Sequence, residues 1–341
     1  MNNKRKSYHQ LRRFSWSNNQ VKNEGEMFLE SSVLEWYEAK HAKPSINEIR
    51  FVNKHCLRSC PYCNSNNTSK NGYTKIGIQR FICCNCGKRF NALTGTIFDS
   101  KKIPISERIE FLLHLFEFHS IASSSFDNRN SGTTGRFWLK QIFVVLKNIQ
   151  DNVVLDGDIQ IDEKALPVVK REIVRKANGK MPKGFSKNQL IVFCGISNKA
   201  SFMLYAGRGK TTEEQAINIY GKHIKEDSNL IHDGEKSHNV VIEKLHLKSF
   251  SYSAKELVKL DDKDNPLDMV NKLCLAIENF ISAHGGYERE EIQDWLNLLW
   301  FILNGPKDRY DKVLLFIQMA LKTRKRLKYR EAIRKKDDTI E

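Results

Sequence analysis

Apolar residues recur at helical intervals at Phe28, Leu29, Val33, Leu34 and Tyr37, which predicts a helix near Glu26–His41 ended by Pro44. A second helical period runs through Ile109, Leu112, Leu113 and Phe116, with Pro104 suited to an early helical position. The stretch 120–135 is rich in Ser, Thr, Asn and Gly. It gives way to Phe137, Leu139, Ile142, Phe143, Val145 and Leu146. Helix, polar turn, helix is compatible with a helix-turn-helix reader of DNA, a pattern that plain helical pairs share.

The period changes after Val153. Asp158–Asp162 (DIQID) alternates as a strand does, and Gln189–Ile196 and Ser201–Ala206 read as two more strands around a turn at Ser197–Lys199. Thr211 with Glu214 three residues on predicts a capping box that opens a helix to about His223. Asn229–His232 reads as a short strand. After Pro266, a helix through Val270, Leu273, Ile277 and Phe280 is expected to stop at Gly285–Gly286. This order predicts an α/β fold with a mixed sheet.

The chain has 341 residues, which suits two or three domains, and its 40% hydrophobic content can form a packed core. No apolar run reaches the roughly 18 residues that a membrane helix needs. The basic start is not followed by an apolar stretch, so a cytoplasmic protein without a secretory signal is expected. The formal net charge of +16 favours polyanionic partners. Residues 1–23 carry Lys4, Arg5, Lys6, Arg12, Arg13 and Lys22 and no acid; residues 322–336 carry nine basic residues against Glu331 alone.

Cys60-Pro61-Tyr62-Cys63 is followed after 19 residues by Cys83-Cys84-Asn85-Cys86. Four soft ligands supplied by two CxxC turns suit a closed tetrahedral zinc site, and so short a segment would owe most of its folding free energy to the metal. Cys60, Cys63, Cys83 and Cys86 are therefore expected to hold structural Zn²⁺, with a small hairpin between the knuckles. Cys56 and Cys84 are expected to be spare thiols, and Cys194, Cys274, Trp295 and Trp300 to be core residues.

Asp162 and Asp233 are expected at the ends of the first and fourth strands of the second half. Aspartate is a poor strand former, so two such ends call for a reason. If the strands are neighbours, the carboxylates meet at one edge and suit Mg²⁺ or Mn²⁺, the setting for phosphodiester transfer. A third ligand is expected from the helix after Pro266, where Asn271 and Glu278 share one face; either is a candidate. Glu163 is expected on the opposite strand face from Asp162, and Asp158 on the same face as Asp162 but about 13 Å back along the strand; both are expected to be solvated, and His232 and His238 are read as structural histidines.

The order zinc ribbon, GTIFDS (Gly95–Ser100), IDEK, IHDGEKS and NKLCLAIENF before Gly285-Gly286-Tyr287 resembles bacterial insertion-sequence transposases of the DDE class with an N-terminal zinc ribbon, the ISXO-like group. The resemblance covers roughly residues 55–305. It implies a ribonuclease-H-like fold, Mg²⁺-dependent strand cleavage and transfer, and Asp162 and Asp233 as the first two catalytic acids. The third position in that class is Glu or Asn, and 37 residues separate Asp233 from Asn271. Where the class usually has a basic residue seven places on, this chain has Glu278.

The expected organisation is a basic arm and helix (1–54), a zinc ribbon (55–100), a helical region with a candidate helix-turn-helix (101–150), a ribonuclease-H-like catalytic domain (151–305) and a basic C-terminal helix (306–341). The expected partner is double-stranded DNA, both transposon ends and target, bound by a homo-oligomer associated with the bacterial nucleoid. The alternatives are a catalytically inactive, transposase-derived DNA-binding regulator and a zinc-ribbon RNA nuclease.

Overall fold

A computed structural model describes residues 43–99, 103–182, 186–257, 260, 264–285 and 287–333. The basic arm, the helix expected near 26–41 and Arg334, Lys335 and Lys336 lie outside them. The described chain divides into two compact units, one drawn from 1–145 and 306–341, the other from 146–305.

In the first unit, helix α1 (Ile46–His55) starts where Ser45 accepts a hydrogen bond from the Glu48 N–H. A three-stranded antiparallel sheet follows, with β1 (Thr68–Tyr73), β2 (Gln79–Cys83) and β3 (Arg89–Asn91) in that order. The next helices are α2 (Ile109–Phe116), α3 (Ile121–Asp127) and α4 (Gly132–Leu146). The polar stretch 120–135 thus contains a helix of its own, capped by Ser120, whose side chain accepts from the Ser123 N–H. Serine-rich composition hid it, because Ser favours caps and turns over helix interiors. α4 packs closely on α3: a Cβ at Gly135 would fall 1.9 Å from Ser125 Oγ. Phe137, Trp138, Leu139, Ile142 and Phe143 of α4 are buried.

The C-terminal stretch departs from one basic helix. Helix α9 (Arg309–Lys322) buries Val313, Phe316, Ile317, Ala320 and Leu321 and ends before the basic run, which is non-helical until Tyr329. An apolar face holds the helix in place, and the charged residues beyond it have no such face.

The second unit is built on a five-stranded mixed sheet in the order β6-β5-β4-β7-β8. Its strands are β4 (Asp158–Pro167), β5 (Gln189–Ser197), β6 (Ser201–Arg208), β7 (Asn229–His232) and β8 (Lys248–Ser251). β4, β5 and β6 pair antiparallel, whereas β7 runs parallel to β4 and β8 parallel to β7. Helix α5 (Glu213–His223) links β6 to β7, and α6 (Asn239–Leu245) links β7 to β8. The cap of α5 is Thr212 with Gln215, one residue beyond the pair expected from sequence. α7 (Asp268–Ala283) and α8 (Ile292–Asn304) complete the unit. The core on the α5–α6 side joins Ile159, Ile161, Ile191, Phe193 and Phe202 of the sheet to Tyr220, Val241 and Leu245 of these helices. β8 escaped the sequence reading because its four residues (KSFS) are all exposed and show no alternation.

No described helix is long and apolar enough to cross a membrane.

Candidate functional site

The four-cysteine cluster forms from two matching turns. The N–H of Asn64 donates to the Cys60 carbonyl at 2.9 Å, and that of Gly87 to the Cys83 carbonyl at 2.9 Å. Each turn is closed by a residue with positive φ, Asn64 (58°) and Gly87 (69°), where Asn and Gly are the residues that adopt this conformation readily. The sulfurs of Cys60 and Cys86 lie 3.6 Å apart, as do those of Cys63 and Cys83. Tetrahedral ligation at about 2.3 Å per sulfur gives separations of about 3.8 Å, so the cluster fits a metal of zinc type. The backbone N–H of Cys86, with that of Asn85, draws the Cys83 thiol down to about 6, which favours the thiolate. Phe81 and Phe90 pack on Cys60 and Cys83. Cys56 is half-buried beside the cluster, and Cys84 is exposed against Ser69, so neither belongs to it. Arg324, from the basic run, is partly buried and donates to the carbonyls of Leu57 and Thr94, while Arg326 pairs with Asp99 at 3.4 Å. Arg324 thus braces the module, and Arg326 is paired at its surface.

The carboxylates of the second unit gather through strand register. Gln160 stands opposite Ile231 on the parallel β4–β7 pair. Counting on two residues puts Asp162 level with Asp233, the first residue after β7 ends. Asp162 is not at a strand end, as the sequence suggested; β4 continues to Pro167 along β5. It is the neighbour, β7, that stops, and this leaves Asp162 at a step in the sheet. Gly234, with φ of 82°, turns the chain away directly after Asp233.

Asp162 is half-buried, and burial, with the charges of Glu163 and Asp233 adding, pushes its carboxyl up to about 6 despite a 2.7 Å hydrogen bond from the Glu163 N–H. Asp233 is exposed and accepts from the Glu235 N–H at 3.0 Å.

Helix α7 lies along the same face of β4. Gln160 Oε1 accepts from the Val270 N–H at 3.0 Å, Asp162 Oδ2 lies 3.8 Å from Cys274 Sγ, and Lys164 Nζ lies 2.5 Å from Glu278 Oε2. Two strand residues advance about 6.6 Å and four helical residues about 6 Å, so the two elements stay in step. Of the third-ligand candidates, Glu278 is taken up by Lys164. Asn271 is exposed one turn before Cys274, without a side-chain hydrogen bond among the described residues. The side chain of α7 that faces Asp162 is the buried Cys274, which packs near Cys194 of β5; contact with Cys274 and burial raise the Cys194 thiol.

Glu163 is on the opposite face, as alternation requires, but it is buried and not solvated. Its Oε1 accepts from Tyr220 Oη at 3.1 Å and lies 2.9 Å from His238 Nε2. His238 Nδ1 lies 3.0 Å from His232 Nδ1, and His232 Nε2 lies 2.9 Å from Ser249 Oγ. Because the Gly234 N–H donates to His232 Nδ1, that atom is an acceptor, and His238 must offer it a proton. His238 then donates from both nitrogens and is an imidazolium. Burial opposes this charge, but the Glu163 carboxylate outweighs it and leaves His238 above its ordinary value; burial, with His238 adding, drives His232 down to about 4. His238 Nδ1 also lies 3.9 Å from Asp233 Oδ1. Sequence alone gave little sign of it, since Glu163 finds its partners only through α5 and the loop after β7. Asp158 is exposed and takes a hydrogen bond from Asn229 at 2.6 Å. Trp295 is buried, and Trp300 donates to the Ser201 carbonyl, so both are structural.

No family model matches the chain, and no curated protein matches it. Among solved structures it is similar to a chain of the pre-cleavage Mos1 transpososome, at 10% identity and a TM-score of 0.28, over 62% of this chain and 75% of that one. It is also similar to a chain from the simian T-cell lymphotropic virus intasome in complex with the PP2A regulatory subunit B56 gamma, at 10% identity and a TM-score of 0.28, over 56% and 67% respectively. Superpositions this loose fix neither fold nor activity.

Proposed function

We propose that the chain is a DNA transposase of the zinc-ribbon DDE class, and that residues 146–305 form a ribonuclease-H-like catalytic unit. Numbered within the unit, the strand order 3-2-1-4-5, with the first three antiparallel and the last two parallel to the first, supports the fold. The observation that carries the activity is the register that sets Asp162 and Asp233 level on adjacent parallel strands at a step in the sheet. Burial, with the neighbouring Asp233 charge adding, raises the cost of ionising Asp162, which a divalent cation relieves, and hard oxygen donors suit Mg²⁺ or Mn²⁺. A metal held by Asp162 and Asp233 supplies Lewis acidity for phosphodiester transfer. Asp162 presents its carboxylate from a rigid strand, and Asp233 adds a more exposed one from the adjoining turn. Asn271 offers a neutral oxygen from the exposed side of α7. The four-cysteine module, with structural Zn²⁺, and the helical region would bind transposon ends and target DNA as part of a homo-oligomer.

The test is strand transfer by purified protein with Mg²⁺ on DNA from the boundaries of its own element. Asp162→Asn should abolish transfer and leave DNA binding near wild type. Full activity in that variant refutes the assignment.

A second reading, an inactive DNA-binding regulator, is favoured by two features of α7: Glu278 is tied to Lys164, and a thiol rather than a carboxylate faces Asp162. It predicts specific binding to the same DNA without nicking in Mg²⁺ or Mn²⁺.

A further inference from the structure

His114, His119 and Asp127 stand apart from both sites described above. They lie in the first unit, on α2, on the turn after it and at the end of α3. One ligand atom from each falls within 4.8 Å of the other two. His114 Nδ1 is 3.4 Å from Asp127 Oδ2. Two ligands on one tetrahedral zinc ion, bound at about 2.0–2.1 Å, are separated by about 3.3–3.4 Å, so this pair is already at ligand spacing. The His114 Nδ1 atom is buried and makes no hydrogen bond. The two imidazoles lie 5.0 Å apart at an angle of 31°. His119 is exposed, and with its ligand atom already within 4.8 Å of the other two, reaching ligand spacing asks only for a side-chain rotation.

The backbone holds the three groups together. Phe118 has φ of 66°, an uncommon conformation for a bulky residue. That turn returns the His119 N–H to the His114 carbonyl at 3.0 Å and brings the second imidazole back beside the first. Ser123 Oγ donates to Asp127 Oδ2 at 3.2 Å and fixes the carboxylate.

We propose that His114, His119 and Asp127 form a second metal site, for a divalent first-row transition ion of the zinc class, that clasps α2 to α3. Two imidazoles and one carboxylate are borderline donors that suit such an ion and leave its remaining positions to water. The site does not depend on the chemistry of the sheet unit.

The experiment is metal stoichiometry on the full chain. Zn²⁺ is bound by equilibrium dialysis, and Co²⁺ substitution is followed by absorption, since only the four-cysteine site gives thiolate charge-transfer bands. His119→Ala is the main variant, because His119 is exposed on a turn and its loss does not empty a core. His114→Ala and Asp127→Asn are the companions. Wild type should bind one Zn²⁺ equivalent more than His119→Ala at micromolar free metal, and the variant should keep its Co²⁺–thiolate bands unchanged. Cys83→Ser should lose those bands and keep the equivalent that His119→Ala lacks. If His119→Ala binds as many equivalents as wild type with the same affinity, the proposal is overturned. It is overturned equally if every bound Zn²⁺ in wild type disappears with the cysteines.

Discussion

The four-cysteine module and the step in the sheet both collect groups that are costly to hold together, and they do so by opposite routes. In the module, two turns of four residues each present two thiols, and one short hairpin brings the turns within 26 residues of chain, from Cys60 to Cys86. In the sheet unit, Asp162 and Asp233 are 71 residues apart in sequence, and only the parallel register of β4 and β7 levels them. A local cluster with so small a core of its own would draw much of its stability from a bound metal. A register-built site is held by the core beneath it and can tolerate an unfavourable charge. The raised Asp162 carboxyl is that unfavourable charge.

Removing one candidate ligand from each separates the two routes. Cys83→Ser should open the module. It would be read as loss of the Co²⁺–thiolate bands and as new protease cleavage between 57 and 99. Asp162→Asn should leave fold and module untouched and, with metal absent at pH 8, should raise the stability of the sheet unit on the order of 1–3 kcal/mol, since the burial that lifts the Asp162 carboxyl to about 6 penalises its charge. Urea titration measures it; a loss of stability in Asp162→Asn would mean that the charge is not unfavourable.

The next effect comes from the other face of β4. Glu163→Gln leaves the His238 imidazolium buried without its carboxylate, and breaking such a pair costs about 3–5 kcal/mol. The double variant Glu163→Gln, His238→Gln should recover part of that loss, which a double-mutant cycle in urea would read.

Acid should act through His232. Its folded value, about 4, is depressed below the unfolded value near 6.5, so it contributes stability above pH 6.5 that is lost as pH falls toward 4. Over a similar range Asp162 works the other way. Its folded value, about 6, is raised above the unfolded 3.8, so its destabilisation is relieved as pH falls through 6. Metal binding at the step should weaken below pH 6 as Asp162 takes up its proton. His232→Gln should therefore leave a sheet unit that gains stability on mild acidification, where wild type shows two opposed slopes. The same slope in both proteins would remove His232 from the account.

The smallest expected effect separates the third-ligand candidates. Glu278→Gln breaks an exposed ion pair and should change melting temperature little, with strand transfer within about threefold of wild type. Asn271→Ala should lower transfer by at least about tenfold if its oxygen serves the metal. Equal effects would leave α7 a purely structural helix.

The module was legible in the sequence almost completely, because spacing within a turn is a local property. Strands β4 to β7 were legible for a related reason: alternation and apolar runs report burial directly. β8 was not, since an exposed edge strand carries no such pattern, and neither was α3, whose serines advertise turns. The identity of the residue opposite Asp162 on α7 was also invisible. Asn271 and Glu278 share a helical face by spacing, but spacing does not say how far that helix slides along β4. The contacts 160 to 270, 162 to 274 and 164 to 278 set the slide, and they put Cys274 where the sequence offered Asn271 or Glu278.

Sequence alone determined which four cysteines come together, the switch from helical to strand period after Val153 and the two aspartates worth watching. These rest on periodicity and on short-range geometry, both written residue by residue. Tertiary structure decided that Asp162 stands beside the end of β7 and not at the end of its own strand. It decided also that Glu163 is a buried ion-pair partner and that Arg324 braces the module. Each of these depends on which distant segment arrives alongside, and a charge or a carboxylate does not carry that information in its own neighbourhood.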